Sequence, residues 1–261
     1  VAIANPKVRV ADCSFNAAQA LQAIEQATEQ KASLVLFPEL SISSVSCGDL
    51  LTDNLLLSSA DQALSQLLVQ TKNCPIIFVV GLPILVSNTI LNTAVICKQG
   101  EICSVIPKMD NVATTLFQNR NENYVIEYLL CAREVKISNN RLFETPDFSF
   151  SINFWNENTS QNNLSQLADM NLYLSDAADK MGVHAETSQL IQAESLQNKN
   201  GVLYSAPGFG ESTTDLVYSG VGMIAECGQV LVESDRFSFD GSLSFAELDL
   251  ARIQAERLMR K

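Results

Sequence analysis

A chain of 261 residues, 47% hydrophobic and 18% charged, carries enough apolar material for one large core or two small ones. Its net charge of −12 excludes nucleic acid and anionic membrane as partners, because both would repel it at long range. No apolar run approaches the roughly 20 residues that span a bilayer, and Val1-Ala2-Ile3-Ala4-Asn5-Pro6 lacks the basic start and long apolar stretch of a secretory signal, so the chain reads as soluble and cytoplasmic.

The chain does not open with methionine, as in a protein trimmed at its start. Lys7 to Val10 lead into Ala17 to Ile24, whose alanine content and apolar spacing predict a helix. Leu34-Val35-Leu36-Phe37 is a continuous apolar run closed by Pro38, the pattern of a buried parallel strand reaching its carboxyl end. A second helix is predicted from Ala60 to Val69, then a strand Ile76 to Val80 stopped by Gly81-Leu82-Pro83. Thr93 to Cys97 and Ile102 to Ile106 flank Gln99-Gly100-Glu101 as a hairpin. Further strands are predicted at Phe148–Phe154, Leu172–Leu174, Gly201–Ser205, Val221–Ala225 and Val230–Glu233, with a helix carrying Ser188 to Leu196. Asn156 to Asn163 reads as a surface loop, and Ile253 to Lys261 as a connecting segment into something further. Helices interleaved with strands and late hairpins predict one layered α/β domain over residues 1–261, built on a mixed sheet.

The seven cysteines are scattered, odd in number and mostly inside apolar runs, which fits neither a disulfide framework nor a zinc site and points to a reducing compartment. Glu39 follows Pro38 at a predicted strand end, where α/β folds bind ligands; it reads either as a general base or as a carboxylate capping the next loop. Lys108 ends the strand Ile102 to Ile106 in the same way. It is either a solvated amine or, paired with a buried glutamate, positive charge for a developing oxyanion. Gly208 to Asp215 lacks the strand and helix that a phosphate loop needs, and reads as an ordered loop held by its own side chains. His184, the only histidine, reads as ordinary surface; no metal or cofactor is expected.

Pro38-Glu39-Leu40-Ser41-Ile42, followed by Cys47-Gly48-Asp49-Leu50, resembles the nitrilase (carbon-nitrogen hydrolase) superfamily. More narrowly, it is similar to the amino-terminal glutaminase domain of glutamine-dependent NAD synthetases. Asn5 to Cys13, Gly81-Leu82-Pro83, Pro107-Lys108 and, most specifically, Gly210 to Gly220 with Ile224-Ala225-Glu226 carry the same resemblance, which runs from about residue 1 to about residue 260. It implies a four-layer α-β-β-α sandwich with mixed sheets and a Glu-Lys-Cys site. In that site glutamate is the base, lysine stabilises the tetrahedral intermediate and a thiol attacks the side-chain amide. Carried over by position, Glu39 is the base and Lys108 the oxyanion-side amine.

The nucleophile departs from the family pattern. Aligning the family's Ile-Cys-Glu-Asp-x-Trp on Trp155, the only tryptophan, puts Ser151 where the cysteine belongs and removes both flanking acids. Leu174-Ser175 matches the family's Asn-Leu-Ser-Ala-Ser strand end, with Tyr173 in place of asparagine and Asp176 in place of a small residue. Asn111-Val112-Ala113-Thr114 and Phe117-Gln118-Asn119 stand where the family has Leu-Pro-Asn-Tyr and Phe-Tyr-Glu. The catalytic set is therefore expected to be Glu39, Lys108 and Ser151, with amide hydrolysis lost or impaired. The resemblance implies glutamine or another small amide as ligand, an ammonia-accepting NAD synthetase domain beyond Lys261, and a homo-oligomer. A non-catalytic nitrilase-fold domain used for assembly or ligand sensing is the alternative.

Overall fold

The computed structural model describes residues 1–109, 125–155 and 166–259. The strands are β1 (Ala2–Pro6), β2 (Leu34–Leu36), β3 (Ile77–Val86), β4 (Thr89–Lys98), β5 (Glu101–Pro107), β6 (Val125–Leu130) and β7 (Arg133–Ser138). They continue as β8 (Leu142–Glu144), β9 (Ser149–Phe154), β10 (Met170–Leu174), β11 (Gly201–Ser205), β12 (Gly222–Glu226), β13 (Gln229–Glu233) and β14 (Gly241–Phe245). Eight form one sheet in the order β14-β1-β2-β3-β4-β5-β7-β6, and six form a second in the order β13-β12-β11-β10-β9-β8. Both are mixed: β1, β2 and β3 run parallel before the β3–β4–β5 meander, and β9, β10 and β11 run parallel before the antiparallel β12 and β13.

Strand alternation sorts side chains into layers. Ile3, Leu34, Leu36, Ile77 and Val79 point inward and meet Phe150, Ile152, Phe154, Leu172 and Leu174 of the second sheet. Their neighbours Ala2, Ala4, Val35, Phe78 and Val80 point outward, under helices α1 (Cys13–Glu29) and α2 (Asn54–Gln70). On the far side Val202, Tyr204, Met223 and Ala225 pack with Ile191 of α3 (Val183–Asn198). The result is the four-layer α-β-β-α arrangement. Leu34–Leu36 is apolar throughout because both of its faces are buried.

The hairpin at Gln99-Gly100 forms with positive φ at both residues, 49° and 75°, as a two-residue turn requires. Four expectations change. β3 does not stop at Gly81 but runs on to Val86 through Pro83. Its ladder with β2 ends at Val79, so the remainder is bonded on the β4 side, and a proline there costs no bond on the side of β2. β1 was not expected ahead of the lead-in at Lys7 to Val10, and β6, β7, β8 and β14 were not expected at all. The start of the expected connecting segment is helical, in α4 (Leu250–Leu258), capped by Asp249, with Ile253 buried and Arg257 bonded to Lys199 O and Asp169 Oδ1. The expected loop at Asn156 to Asn163 and the family comparisons at 111–119 lie outside the described residues. Among the described residues no helix is long and apolar enough to cross a membrane.

Candidate functional site

Beyond β2 the chain turns sharply at Pro38-Glu39-Leu40, with Leu40 at φ 48°. The turn lies directly on Gly81 of β3. A Cβ there would sit 2.1 Å from Leu40 N, so only glycine admits this path. Ser41 Oγ accepts from Gly81 N, Ile42 N donates to Gly81 O, and Glu39 N donates across to Ser175 O at the end of β10. These contacts fix the Glu39 backbone against both sheets and leave its side chain fully buried.

Lys108 follows Pro107 at the end of β5, its amide donating to Asn92 O of β4. Its Nζ donates to Glu39 Oε1 and Oε2 at 3.1 and 2.9 Å and to Asp176 Oδ2 at 3.0 Å. Asn92 Nδ2 donates to Glu39 Oε2 at 2.6 Å. Phe154 lies beneath, its ring centre 6.0 Å from Lys108 Nζ and 5.8 Å from the Arg141 guanidinium. Burial raises the Glu39 carboxyl well above the ordinary carboxylate range, and Asp176 adds to this against the opposing pull of Lys108 and Asn92. Burial works against the Lys108 charge, but Glu39 and Asp176 outweigh it and hold the amine above its usual value.

This is a buried carboxylate suited to accepting a proton, beside an ammonium already enclosed by acids. Lysine has three N–H donors, and here they meet the two oxygens of Glu39 and one of Asp176. Little of its charge is left for an oxyanion.

The structure brings Glu39 and Lys108 together but not Ser151. In β9 the even residues Phe150, Ile152 and Phe154 face the space between the sheets, so Ser151 faces α3. There Ser151 Oγ donates to Asn171 Oδ1 at 2.8 Å and accepts from Asn153 Nδ2 at 2.8 Å. Asn171 and Tyr173 in turn donate to Glu194 of α3. Ser151 is thus a member of a buried polar network on the opposite face of its sheet. Among the described residues no hydroxyl or thiol bonds to Glu39 or Lys108. All seven cysteines fall within the described residues and all are unpaired. Burial pushes the Cys13 and Cys131 thiols up to about 12 and raises Cys47, which donates to Ser43 O and contacts Ser44 Oγ.

Asn92 and Arg141 carried no sequence signal beyond being polar beside apolar runs; Asp176 was visible as an acid at a strand end. The Gly208–Asp215 loop is held by its own side chains, Ser212 and Thr214 bonding within it and Glu211 tying it to the chain at Val45 and Ser46. The buried Glu211 carboxylate accepts from Val45 N and Ser46 N, at the start of a 3-10 turn. His184 pairs with Glu233 at the surface. No group of three or more metal-ligating side chains occurs among the described residues.

A family model described as carbon-nitrogen hydrolase matches residues 1–257. Glutamine-dependent NAD(+) synthetase of Mycobacterium tuberculosis is 28% identical over 273 residues, covering 99% of this chain and 40% of that protein. The Mycobacterium leprae protein of the same name is 27% identical over 277 residues, again covering 99% and 40%. The chain therefore spans less than half the length of the curated relatives it matches. Among solved structures, a glutamine-dependent NAD(+) synthetase from Cytophaga hutchinsonii superposes with a TM-score of 0.83 at 20% identity, covering 94% of this chain and 42% of that one. An amidase of the nitrilase superfamily from Nesterenkonia AN1 superposes with a TM-score of 0.73 at 19% identity, covering 98% and 93%. Another structure of that amidase records Michael addition of acrylamide at its active-site cysteine.

Proposed function

Because the chain belongs to the carbon-nitrogen hydrolase family, we propose that it is a domain of the glutamine-dependent NAD synthetase type, descended from a glutaminase, that no longer hydrolyses amides. One observation carries the reading: the Glu39–Lys108 pair keeps its buried geometry while every cysteine of the chain lies elsewhere. A thiolate is the nucleophile that makes two-step amide hydrolysis accessible near neutral pH. Ser151 does not substitute for it, because its hydroxyl is directed at Asn171 beneath α3 rather than at Glu39. Asp176 adds a second obstacle. A tetrahedral oxyanion placed against Lys108 would share that ammonium with two carboxylates, and the nearer acid would repel it.

Sequence similarity supports the lineage over a general amidase, since the mycobacterial NAD synthetases are 27–28% identical to the chain and the amidase 19%. In that role the domain would stand beside an ammonia-accepting synthetase and contribute its fold rather than turnover. Incubating the purified chain with glutamine and measuring ammonia by a coupled dehydrogenase assay tests the reading. No release above a heat-denatured control is expected. Steady ammonia release that Glu39→Gln abolishes would overturn it.

A further inference from the structure

A cavity of about 410 Å³ opens on the outer side of the first sheet, between α2, the far end of β3 and the β6–β7 hairpin. Small-molecule sites run from roughly 300 to 1,000 Å³, so the space suits a compact ligand. None of Glu39, Asn92, Lys108 and Asp176 lines it. Asn54, Leu57, Ser58 and Asp61, spaced i, i+3, i+4 and i+7, bring one face of α2 to the cavity. Leu82 and Ile84 of β3 and Leu130 of β6, all buried, supply apolar wall.

Two polar groups meet there from different elements. Tyr128 lies on the inward side of β6 with Ile126 and Leu130, packed against the core beneath α2. Its hydroxyl has no hydrogen-bond partner among the described residues. Asp61 reaches from α2 to the β6–β7 turn, where Oδ1 accepts from Cys131 N at 2.8 Å. Burial and then the Asp61 charge hold the Tyr128 phenol above its ordinary value, so the carboxylate stands within electrostatic reach of a hydroxyl that keeps its proton.

No cation answers this carboxylate. Among the described residues Asp61 takes part in no ion pair, and no lysine, arginine or histidine lines the cavity. Arg133, just past the turn, is directed instead at Gly100 O and Glu101 Oε2. The amino end of α2 does not reverse the sign, because Asp53 caps it, accepting from Leu55 N at 2.8 Å. A guanidinium binds a carboxylate best through both oxygens, and Oδ1 is already taken by Cys131 N. A single-point donor is the better match.

We propose that this cavity binds a primary ammonium carried on a compact apolar body of arylethyl size, with Asp61 and Tyr128 accepting from the ammonium and the leucine walls covering the body. The proposal stands whether or not the Glu39–Lys108 pair turns over an amide.

The test titrates 2-phenylethylammonium chloride, 2-phenylethanol and sodium 3-phenylpropanoate, which share a phenylethyl body and differ in charge, into the purified chain by calorimetry. The ammonium is expected to bind with a Kd at or below about 1 mM, the alcohol roughly tenfold more weakly, and the carboxylate not at all up to about 20 mM. Asp61→Asn, whose amide oxygen can still accept from Cys131 N, should weaken the ammonium on the order of tenfold and leave the alcohol unchanged. Ser58→Phe, at an exposed position on the same helix face, should fill the cavity and abolish binding of both. Glu127→Gln removes an exposed acid from the opposite face of β6 and should change nothing, which controls for adsorption to an acidic surface. Circular dichroism melts report whether each variant folds. Tyr128→Phe, which deletes only the hydroxyl, gives a second reading of the same contact, with an expected loss of about threefold for the ammonium. No binding of the ammonium, equal binding of the carboxylate, or ammonium binding indifferent to either Asp61→Asn or Ser58→Phe would each overturn the proposal.

Discussion

An alanine at position 81 would place its Cβ 2.1 Å from Leu40 N and 2.6 Å from the Glu39 carbonyl carbon, both backbone atoms with nowhere to retreat. Gly81→Ala should therefore push the Pro38–Leu40 turn off β3 and cost about 3 kcal/mol, as overpacking of a tight contact does. Urea melts of the two proteins would show it; a loss below about 1 kcal/mol would mean the turn shifts without resistance. Ser151, aligned with the family's cysteine, faces Asn171 rather than Glu39. Phe150, Ile152 and Phe154 alternate with Ser149, Ser151 and Asn153, so the sequence itself states that Ser151 shares a face with the polar set. Glu39 and Lys108 were recognisable because each stands just past an apolar strand and a proline. Asn92 was not, because nothing in Leu91-Asn92-Thr93 says that a carboxylate will lie against it.

Most strands with continuous apolar runs were legible, although the buried β1 was missed and the half-exposed β13 was found. β2, β9, β10 and β11 are buried along nearly their whole length, and each was anticipated within a few residues, whereas β3 was found but ended six residues early. β6 and β14 leave much of their surface exposed, and β14 opens on glycine and serine, so neither has a run to detect. α4 has the same difficulty. Its nine residues bury one apolar side chain, Ile253, and the rest of its docking is polar, through Arg257 and the Arg252–Glu226 pair. Ile253→Ala should accordingly release the helix from the α3–β11 turn and cost about 2–4 kcal/mol. Hydrogen exchange should then show Leu250–Leu258 opening while the amides of β10 and β11 stay protected. Equal loss of protection in both would mean that α4 is part of the cooperative core.

At the scale of the whole molecule, buried acids give the fold a pH dependence. Burial raises the carboxyl of Glu194, despite its bonds from Tyr173 and Asn171, and that of Glu211, despite its bonds from Ser46 and Val45, above the ordinary 4.5. A raised folded pKa means that the native state holds these protons more tightly than the unfolded chain does. Their contribution is complete below the unfolded value and fades as pH rises through the folded ones. Tm should thus fall as pH rises above about 4.5, and Glu194→Gln should flatten the slope. A slope unchanged in that variant would assign the effect to the general repulsion of a chain of net charge −12.

Asn5 supplies the last consequence. From β1 in the first sheet its Nδ2 reaches Ser205 Oγ, Ala206 O and Val221 O in and beside the second, at 3.1, 2.7 and 3.3 Å, while Ser205 Oγ returns a bond to Ala4 O. Greasy faces can slip past one another by a fraction of a residue at small cost, but a directional cluster of this kind has one alignment. It works as an indexing pin between two plates. Glu39 and Lys108 ride on one plate and Asp176 on the other, so the gap across which they meet is gauged by a side chain that bonds to none of them.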